Sequence, residues 1–225
     1  MNREKAAREE QRWAGPDSRL KRYGILLAFA WALAIAVSLG WNIQQIRKTI
    51  RLLAVKEARI HFEKDRAIRL WSTAHGGVYV TQGPKTPPNP HLAHIPDRDI
   101  LTPSGKKLTL MNPAYMVRQM MDDYSGLYGV RGRIVSLRPL RAENIPDEWE
   151  IAALKAFEKG EKEVFEFVDL EGQPFLRLIQ PIVTEKGCLK CHGHQGYVVG
   201  DIRGGIGVSV PMSSYLIYEQ EEIKK

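Results

Sequence analysis

The stretch EVFEFVDLEGQPFLRLIQPIV, residues 163–183, alternates apolar and polar side chains on either side of a Glu171-Gly172 pair. A period of two is the signature of half-buried strands, and a short Gly-containing break between two such runs is a hairpin turn. The spacing therefore predicts strands over Glu163–Leu170 and Phe175–Val183. Downstream, Gly204–Pro211 (GGIGVSVP) reads as another strand, and Met212–Lys225 turns back to helix.

Upstream of the hairpin, Pro146–Lys159 is predicted as a short helix, with Pro-Asp-Glu at its start and Gly160 at its end. Arg133–Leu137 reads as a strand, and Asn112-Pro113 opens a helix expected to run to Asp123, because Pro fits the first helical turn. Residues 82–105 are rich in turn formers (TPPNP) and are expected to be loop. Asn42 to Ser72 lacks Gly and Pro and reads as one continued helix, ended by His75-Gly76-Gly77 before a short strand, Val78–Thr81. A long N-terminal helix, central antiparallel strands and short inserted helices place the chain in the α+β class. No internal repeat or low-complexity stretch is present.

The 225 residues carry a formal net charge of +7, but the charge is unevenly placed. Residues 1–61 hold 12 Lys+Arg against 5 Asp+Glu, whereas residues 62–225 hold 21 of each. The positive excess flanks an uncharged segment, Tyr23–Ile43 (YGILLAFAWALAIAVSLGWNI). About 20 helical residues rise about 30 Å, one hydrocarbon core. Tyr23 and Trp41 suit interfacial anchors, and basic flanks suit anionic headgroups rather than a nucleic-acid footprint. A cleaved signal peptide has an apolar region of only about 7–15 residues and a small-residue cleavage site. This segment is longer and lacks that site, so it reads as an uncleaved anchor. The expected organisation is a cytoplasmic tail (1–22), a transmembrane helix (23–43), a long helix or stalk (44–72), a ligand-binding domain (73–212) and a C-terminal helix (213–225).

In the stalk, Ile46, Ile50, Leu53, Ile60, Ala67 and Trp71 form a seam interrupted by Glu57 and Lys64. It suits either packing against the chain's own domain or a homodimer through the long helix.

Gly187-Cys188-Leu189-Lys190-Cys191-His192 is the one strong chemical motif. C-x-x-C-H is the attachment pattern of haem c: two thiols form thioethers with the vinyl groups of one porphyrin edge, and the following His ligates the iron. A zinc site needs four ligands and would have to draw on His192 and His194 at cramped spacing. A thioredoxin-like pair needs a βαβ context, and a plain disulfide leaves His192 unexplained. One covalent haem c is the expected cofactor, with His192 proximal. Haem c is normally attached outside the cytoplasm. The motif therefore implies a single-pass bacterial inner-membrane protein with a cytoplasmic N-terminus and a periplasmic haem domain.

For the distal position, His75 at the helix end is a candidate, and it reads equally as a C-cap histidine. Met111, Met116, Met120 and Met121 offer thioethers, of which Met116 is the alternative ligand, although their spacing also suits a core-facing helix. His194 is too near the proximal loop to cross the porphyrin, His61 belongs to the stalk surface, and His91 and His94 lie in a loop. Arg69, Arg118, Arg133 and Arg203 are candidate partners for haem propionates, because guanidinium pairs carboxylates bidentately. There is no phosphate loop or nucleophile triad, so no catalytic residue is assigned. A peroxidase-like activity would rest on His75 alone.

Several segments together resemble a known family: RLWSTAHGGVYV (69–80), TPPNPHL (86–92), LTLMNPAYMVRQM (108–120), SLRPLRAENIPDEWE (136–150) and CLKCHGHQGYVVGDIRGGIGVSVPM (188–212). They are similar to the c-type haem-binding, PAS-like sensory domain of bacterial histidine kinases, diguanylate cyclases and chemoreceptors, which also occurs as a small cyanobacterial protein. The resemblance implies a periplasmic PAS-like fold with a curved antiparallel sheet and a role in sensing redox state or a small gas. It carries over Cys188, Cys191 and His192. Some relatives use a distal cysteine, and this sequence has no third one. Sensor relatives continue into a second span and a signalling module. Two functions are therefore expected: a sensory domain of a signal-transduction system partnered by such a module, or a stand-alone monohaem electron-transfer cytochrome docking with a redox partner.

Overall fold

A computed structural model of the chain describes residues 18–224. The proposed tail therefore falls almost wholly outside the described residues, as does Lys225. One helix, α1, runs from Ser18 to Ala74. Its early part contains an 18-residue window of mean hydropathy 2.0, none of it buried, long and apolar enough by length and composition to cross a membrane. The described residues divide into two compact units, the first holding residues 18–49 and 221–224 and the second Ile50–Gln220. The second unit holds the strands and the Cys188–His192 motif.

Seven strands follow α1: β1 (Val78–Thr81), β2 (Asp99–Leu101), β3 (Lys107–Met111), β4 (Arg131–Val135), β5 (Val164–Leu170), β6 (Gln173–Val183) and β7 (Ile202–Pro211). They form two antiparallel sheets, β1-β3-β2 and β4-β7-β6-β5, so the single curved sheet implied by the resemblance is divided in two. Among the described residues the further helices are α2 (Pro113–Tyr128), α3 (Glu148–Phe157), the four-residue α4 (Leu189–His192) and α5 (Ser213–Ile223).

The hairpin forms as its pattern requires. Val164 faces Ile179 and Leu170 faces Gln173. Glu171 and Gly172 have φ of 57° and 80°, the left-handed pair that a two-residue turn between right-twisted strands demands. Asp169 Oδ1 accepts from Gly172 N at 2.8 Å. Pro181 lies beyond the end of β5, where its missing N–H leaves no ladder bond unmade.

One face of the four-stranded sheet carries Leu176, Leu178, Ile206, Val208 and Val210, packed against Ala54, Ala58 and Phe62 of α1 and Val117 and Met121 of α2. Each such buried aliphatic side chain stabilises the fold by roughly 2 kcal/mol. On the other face Ala153, Leu154 and Phe157 of α3 cover Val135 and Ile179. Helix α3 starts with a capping box, Asp147 and Glu150 each receiving the other's backbone N–H.

The structure revises several expectations. Residues 82–105 are not all loop, since Asp99–Leu101 pairs with β3 and Pro90–Leu92 forms a 3-10 turn. Helix α2 continues past Asp123 to Tyr128, where the Tyr128 ring stacks on His61 at 5.4 Å, and it stops at Gly129 in the left-handed region. Strand β4 begins at Arg131 and ends at Val135, two residues earlier than expected at each end. Of the stalk seam, Ile50 is buried in the domain, whereas Leu53, Ile60, Ala67 and Trp71 are exposed. The stripe that meets the domain is instead Ile50, Ala54, Ala58, Phe62, Asp65, Arg69 and Ser72, spaced by threes and fours.

Candidate functional site

The loop between β6 and β7 carries the C-x-x-C-H motif. It is built from a 3-10 turn (Lys186–Cys188), α4, and a second 3-10 turn (Gly193–Gln195). Its base is closed by Thr184 N donating to Asp201 O at 2.8 Å and Gly200 N donating to Thr184 O at 2.9 Å. Gly187 packs on the last turn of α1: a Cβ there would stand 2.6 Å from Thr73 Cγ2. Cys191 packs against Leu92, Ile95 and Leu110 beside the smaller sheet. Both thiols are free and half-buried, and burial pushes the Cys191 thiol above its ordinary value.

His192 is held at both ring nitrogens. Gln195 Nε2 donates to Arg138 O at 3.2 Å, which fixes the amide so that Oε1 faces His192 Nδ1 at 2.7 Å. A carbonyl oxygen only accepts, so Nδ1 carries the proton and Nε2 keeps its lone pair. Arg203 Nη1 meets that lone pair at 3.0 Å. Burial, then the Arg203 charge, lowers the His192 pKa to about 4, so the ring is neutral at pH 7. Around it, Tyr197 is buried with Arg138 over its ring at 4.1 Å. Ser136 Oγ donates to Arg203 O at 2.7 Å.

Two clefts meet here at Ile182, which lines both. The first, with about 680 Å³ of empty space counting what is open to solvent, is lined by Cys191, His192, Arg203, His91, Arg118 and Arg141 among others. The second, of about 950 Å³ on the same measure, has Cys188, Arg69, Thr73 and Glu185 in its walls. Arg118 also stands 4.8 Å from the Tyr115 ring, and burial lowers its pKa, with Arg141 adding to the effect. Arg69 is 7% exposed and its pKa is pushed down to about 10, first by burial and then by Arg203.

The structure thus brings Cys188, Cys191, His192, Arg69, Arg118 and Arg203 to adjoining clefts. It does not bring the other candidates there. His75 is exposed, its Nδ1 2.7 Å from Trp71 O and its ring stacked on Trp71, and it lines neither cleft. Met116 lines neither cleft, and Met121 fills the core beside Gly132. Arg133 lies elsewhere, 3.8 Å from Glu150 in a network with Arg177. Among the described residues no three His, Cys, Asp or Glu side chains converge as a metal site, so Cys188, Cys191, His192 and His194 do not assemble a zinc centre.

Sequence reasoning missed His91, Arg141, Arg138 and Gln195. Asn89, whose side chain accepts from His91 N at 3.1 Å, and Pro90 form the start of a 3-10 turn that presents His91. That Asn-Pro pair is the one local signal that marks His91.

The model of the Tll0287-like family matches residues 47–211. Among solved structures, the crystal structure of the cyanobacterial heme-protein Tll0287 aligns at 14% identity and a TM-score of 0.47, covering 70% of this chain and 94% of that one. No curated protein matches the chain. The family model spans most of the sequence, both sheets and the whole Cys188–His192 loop, and the chain belongs to the Tll0287-like family.

Proposed function

We propose that this chain is a membrane-anchored c-type haem protein whose domain serves as a redox- or small-gas-sensing module. The carrying observation is the state of His192. Its Nδ1 proton is committed to Gln195, and its Nε2, met by Arg203 Nη1 at 3.0 Å, belongs to a residue that lines one cleft together with Cys191. The motif places this nitrogen one residue beyond the second thiol, as haem c attachment requires. The residues fit the group in a second respect: buried guanidinium nitrogens of Arg69, Arg141 and Arg203 have no partner in the protein. A dianionic porphyrin edge would supply one. Membership of the Tll0287-like family supports a haem-binding domain.

Cys188 and Cys191 would hold the haem covalently, and His192 would ligate it. Bound there, the group supplies a one-electron redox centre that can take a diatomic ligand. Arg118 and Arg141, in the wall of the same cleft, supply positive charge for propionates. His91 lines the same cleft as His192, so His91 would help to hold the group in preference to the distal candidates His75 and Met116, which line neither cleft. The four-stranded sheet with its flanking helices is read as the PAS-like scaffold.

The sensory reading rests on the close approach of Gly187 to Thr73 and on Arg69, which lines one cleft with Cys188, so that the haem loop lies against the last turns of α1. A change at the iron that moves this loop then has a differential effect on a long helix. The apolar segment supports a single-pass membrane anchor, and the C-x-x-C-H motif, through haem c, supports an inner-membrane protein with the domain in the periplasm. The exposed Leu53, Ile60 and Trp71 support a homodimer through α1.

Optical spectra of the reduced protein with carbon monoxide or nitric oxide test the sensory reading. A shifted Soret band is expected, and no change at any gas concentration would contradict gas sensing. His91→Ala should convert a low-spin spectrum to high-spin, and an unchanged spectrum removes His91 as ligand.

A further inference from the structure

His61 is enclosed where three helices meet. Its ring stacks on Tyr128, the last residue of α2, with centroids 5.4 Å apart and planes inclined by 28°. The side chain is 19% exposed, and among the described residues its buried Nδ1 has no hydrogen-bond partner. Nε2 faces Glu57 Oε1 at 4.0 Å, and the other oxygen of that carboxylate accepts from the Tyr215 hydroxyl of α5. One carboxylate of α1 therefore stands between the imidazole and α5. His61 belongs to a junction rather than to the stalk surface.

The neighbours decide where a proton can go. A neutral imidazole carries one, and placing it on Nε2, towards Glu57, leaves Nδ1 as a bare lone pair. A second proton must then enter at Nδ1, which is enclosed and has no acceptor. A buried N–H without an acceptor carries the full cost of its lost hydration, and the added charge raises that cost. Lys64, less than one turn further along α1, already holds its ammonium 4.6 Å from the Tyr128 ring centroid. Asp65 is buried and paired with Lys64 at 3.4 Å. The groups around the ring are thus Glu57, Lys64 and Asp65 from α1, the Tyr128 phenol from α2 and, through Glu57, Tyr215 from α5. Burial, then Lys64, lowers the His61 pKa, while Glu57 and Asp65 act in the opposite sense.

We infer that His61 is an acid-sensitive latch whose protonation releases the end of α2 and the start of α5 from α1. The imidazolium can hydrate its Nδ1–H only by leaving the Tyr128 stack. Glu57, one turn away on the same helix, then follows the charged ring and gives up Tyr215. A released ring takes its proton at about 6.5, and the enclosed ring takes it at lower pH. The closed junction therefore has its full stability above about pH 6.5 and is weakened as pH falls below that value. The latch acts on the helix whose last turn Gly187 of the haem loop approaches at Thr73, and it operates with or without a cofactor.

Amide hydrogen exchange of the full chain in detergent tests the latch at about pH 7.5 and about pH 5.5, on either side of the ordinary imidazole value. Each rate is divided by the intrinsic rate at that pH. Wild type is compared with His61→Phe, which keeps an aromatic ring and cannot titrate. In wild type, protection of residues 124–128 and 213–218 should fall by about fivefold or more at the lower pH, the lower end of the range for coupled sites. In His61→Phe the same segments should keep their protection. An equal fall in both chains, or no fall in wild type, overturns the latch. Should His61→Phe not fold, carbon NMR of the wild-type histidines decides, with His61 assigned through His61→Gln. The ring should titrate with the same midpoint as the loss of protection, and separate midpoints overturn the latch.

Discussion

His192 Nε2 and Arg203 Nη1 meet at 3.0 Å, so the lone pair proposed for iron is engaged by a buried guanidinium. The contact exists because the far side of the ring is fixed: Gln195 takes the Nδ1 proton, and Arg138 O holds the Gln195 amide. A histidine presented in this way is a neutral, oriented donor, and its outer hydrogen bond raises its basicity.

Replacing Gln195 by Leu should leave haem attachment intact, because no thiol is touched. The ring would lose the acceptor that strengthens it as a donor, and the ferric state would be held less well. The midpoint potential is expected to rise by about 59 mV, a tenfold change in a one-electron equilibrium. Potentiometric titration reads it, and an unchanged or lower potential contradicts the assigned tautomer.

Gly204 sits where β7 passes β4, and a Cβ there would stand 2.2 Å from Val135 O. Backbone cannot swing aside as a long side chain can. Gly204→Ala should cost about 1–3 kcal/mol by overpacking. Thermal denaturation should show the loss, and a wild-type midpoint would mean that the two strands are farther apart.

Glu163 joins α1 to the hairpin by accepting from Arg59 Nε at 3.1 Å and Nη2 at 2.7 Å, and from Gln180 Nε2 at 2.7 Å. The Arg59 hydrogen bond holds its carboxyl below the ordinary value, against the opposing effect of burial. A lowered carboxylate contributes stability above the unfolded-state pKa of about 4.3 and loses it as pH falls through the folded value. Arg59 is more than half exposed, so screening limits the contribution to about 1 kcal/mol. Glu163→Gln should therefore destabilise more at pH 7 than at about pH 3. Urea denaturation at the two pH values checks this, and an equal cost at both would refute the ionic origin of the effect.

Tyr215, near the start of α5, donates its hydroxyl to Glu57 of α1. Burial, followed by the Glu57 hydrogen bond, raises its pKa, so the phenol stays protonated and keeps donating. Tyr215→Phe should cost about 1 kcal/mol. It should also speed amide exchange in α5, and unchanged exchange would show that this helix is held by packing alone.

Much of this architecture is legible in the residues themselves. The Glu163–Val183 alternation marks the hairpin, and Pro146-Asp147-Glu148 marks the start of α3. Strands β2 and β3 are not legible. Asp99–Leu101 is three residues long and exists only because β3 lies beside it, a long-range pairing with no local pattern. The end of α2 escapes a local reading because Tyr128 is held by His61 and Lys64 of α1, which propensity does not register.

At the site the C-x-x-C-H spacing singles out Cys188, Cys191 and His192 as the proposed haem holders, since all three lie within five residues. Gln195 and Arg138 stay hidden, because their roles come from a hydrogen bond across 57 positions. His75 is attractive from its place at a helix end. The structure turns its Nδ1 to Trp71 O and stacks its ring on Trp71, where it serves as a cap.

Covalent haem attachment is tested most directly by haem staining and intact mass of the denatured chain, expressed with a c-type maturation system. One haem should survive denaturation in the wild type and be absent from Cys188→Ala/Cys191→Ala. A wild-type chain that carries no haem after denaturation would contradict the assignment of Cys188, Cys191 and His192.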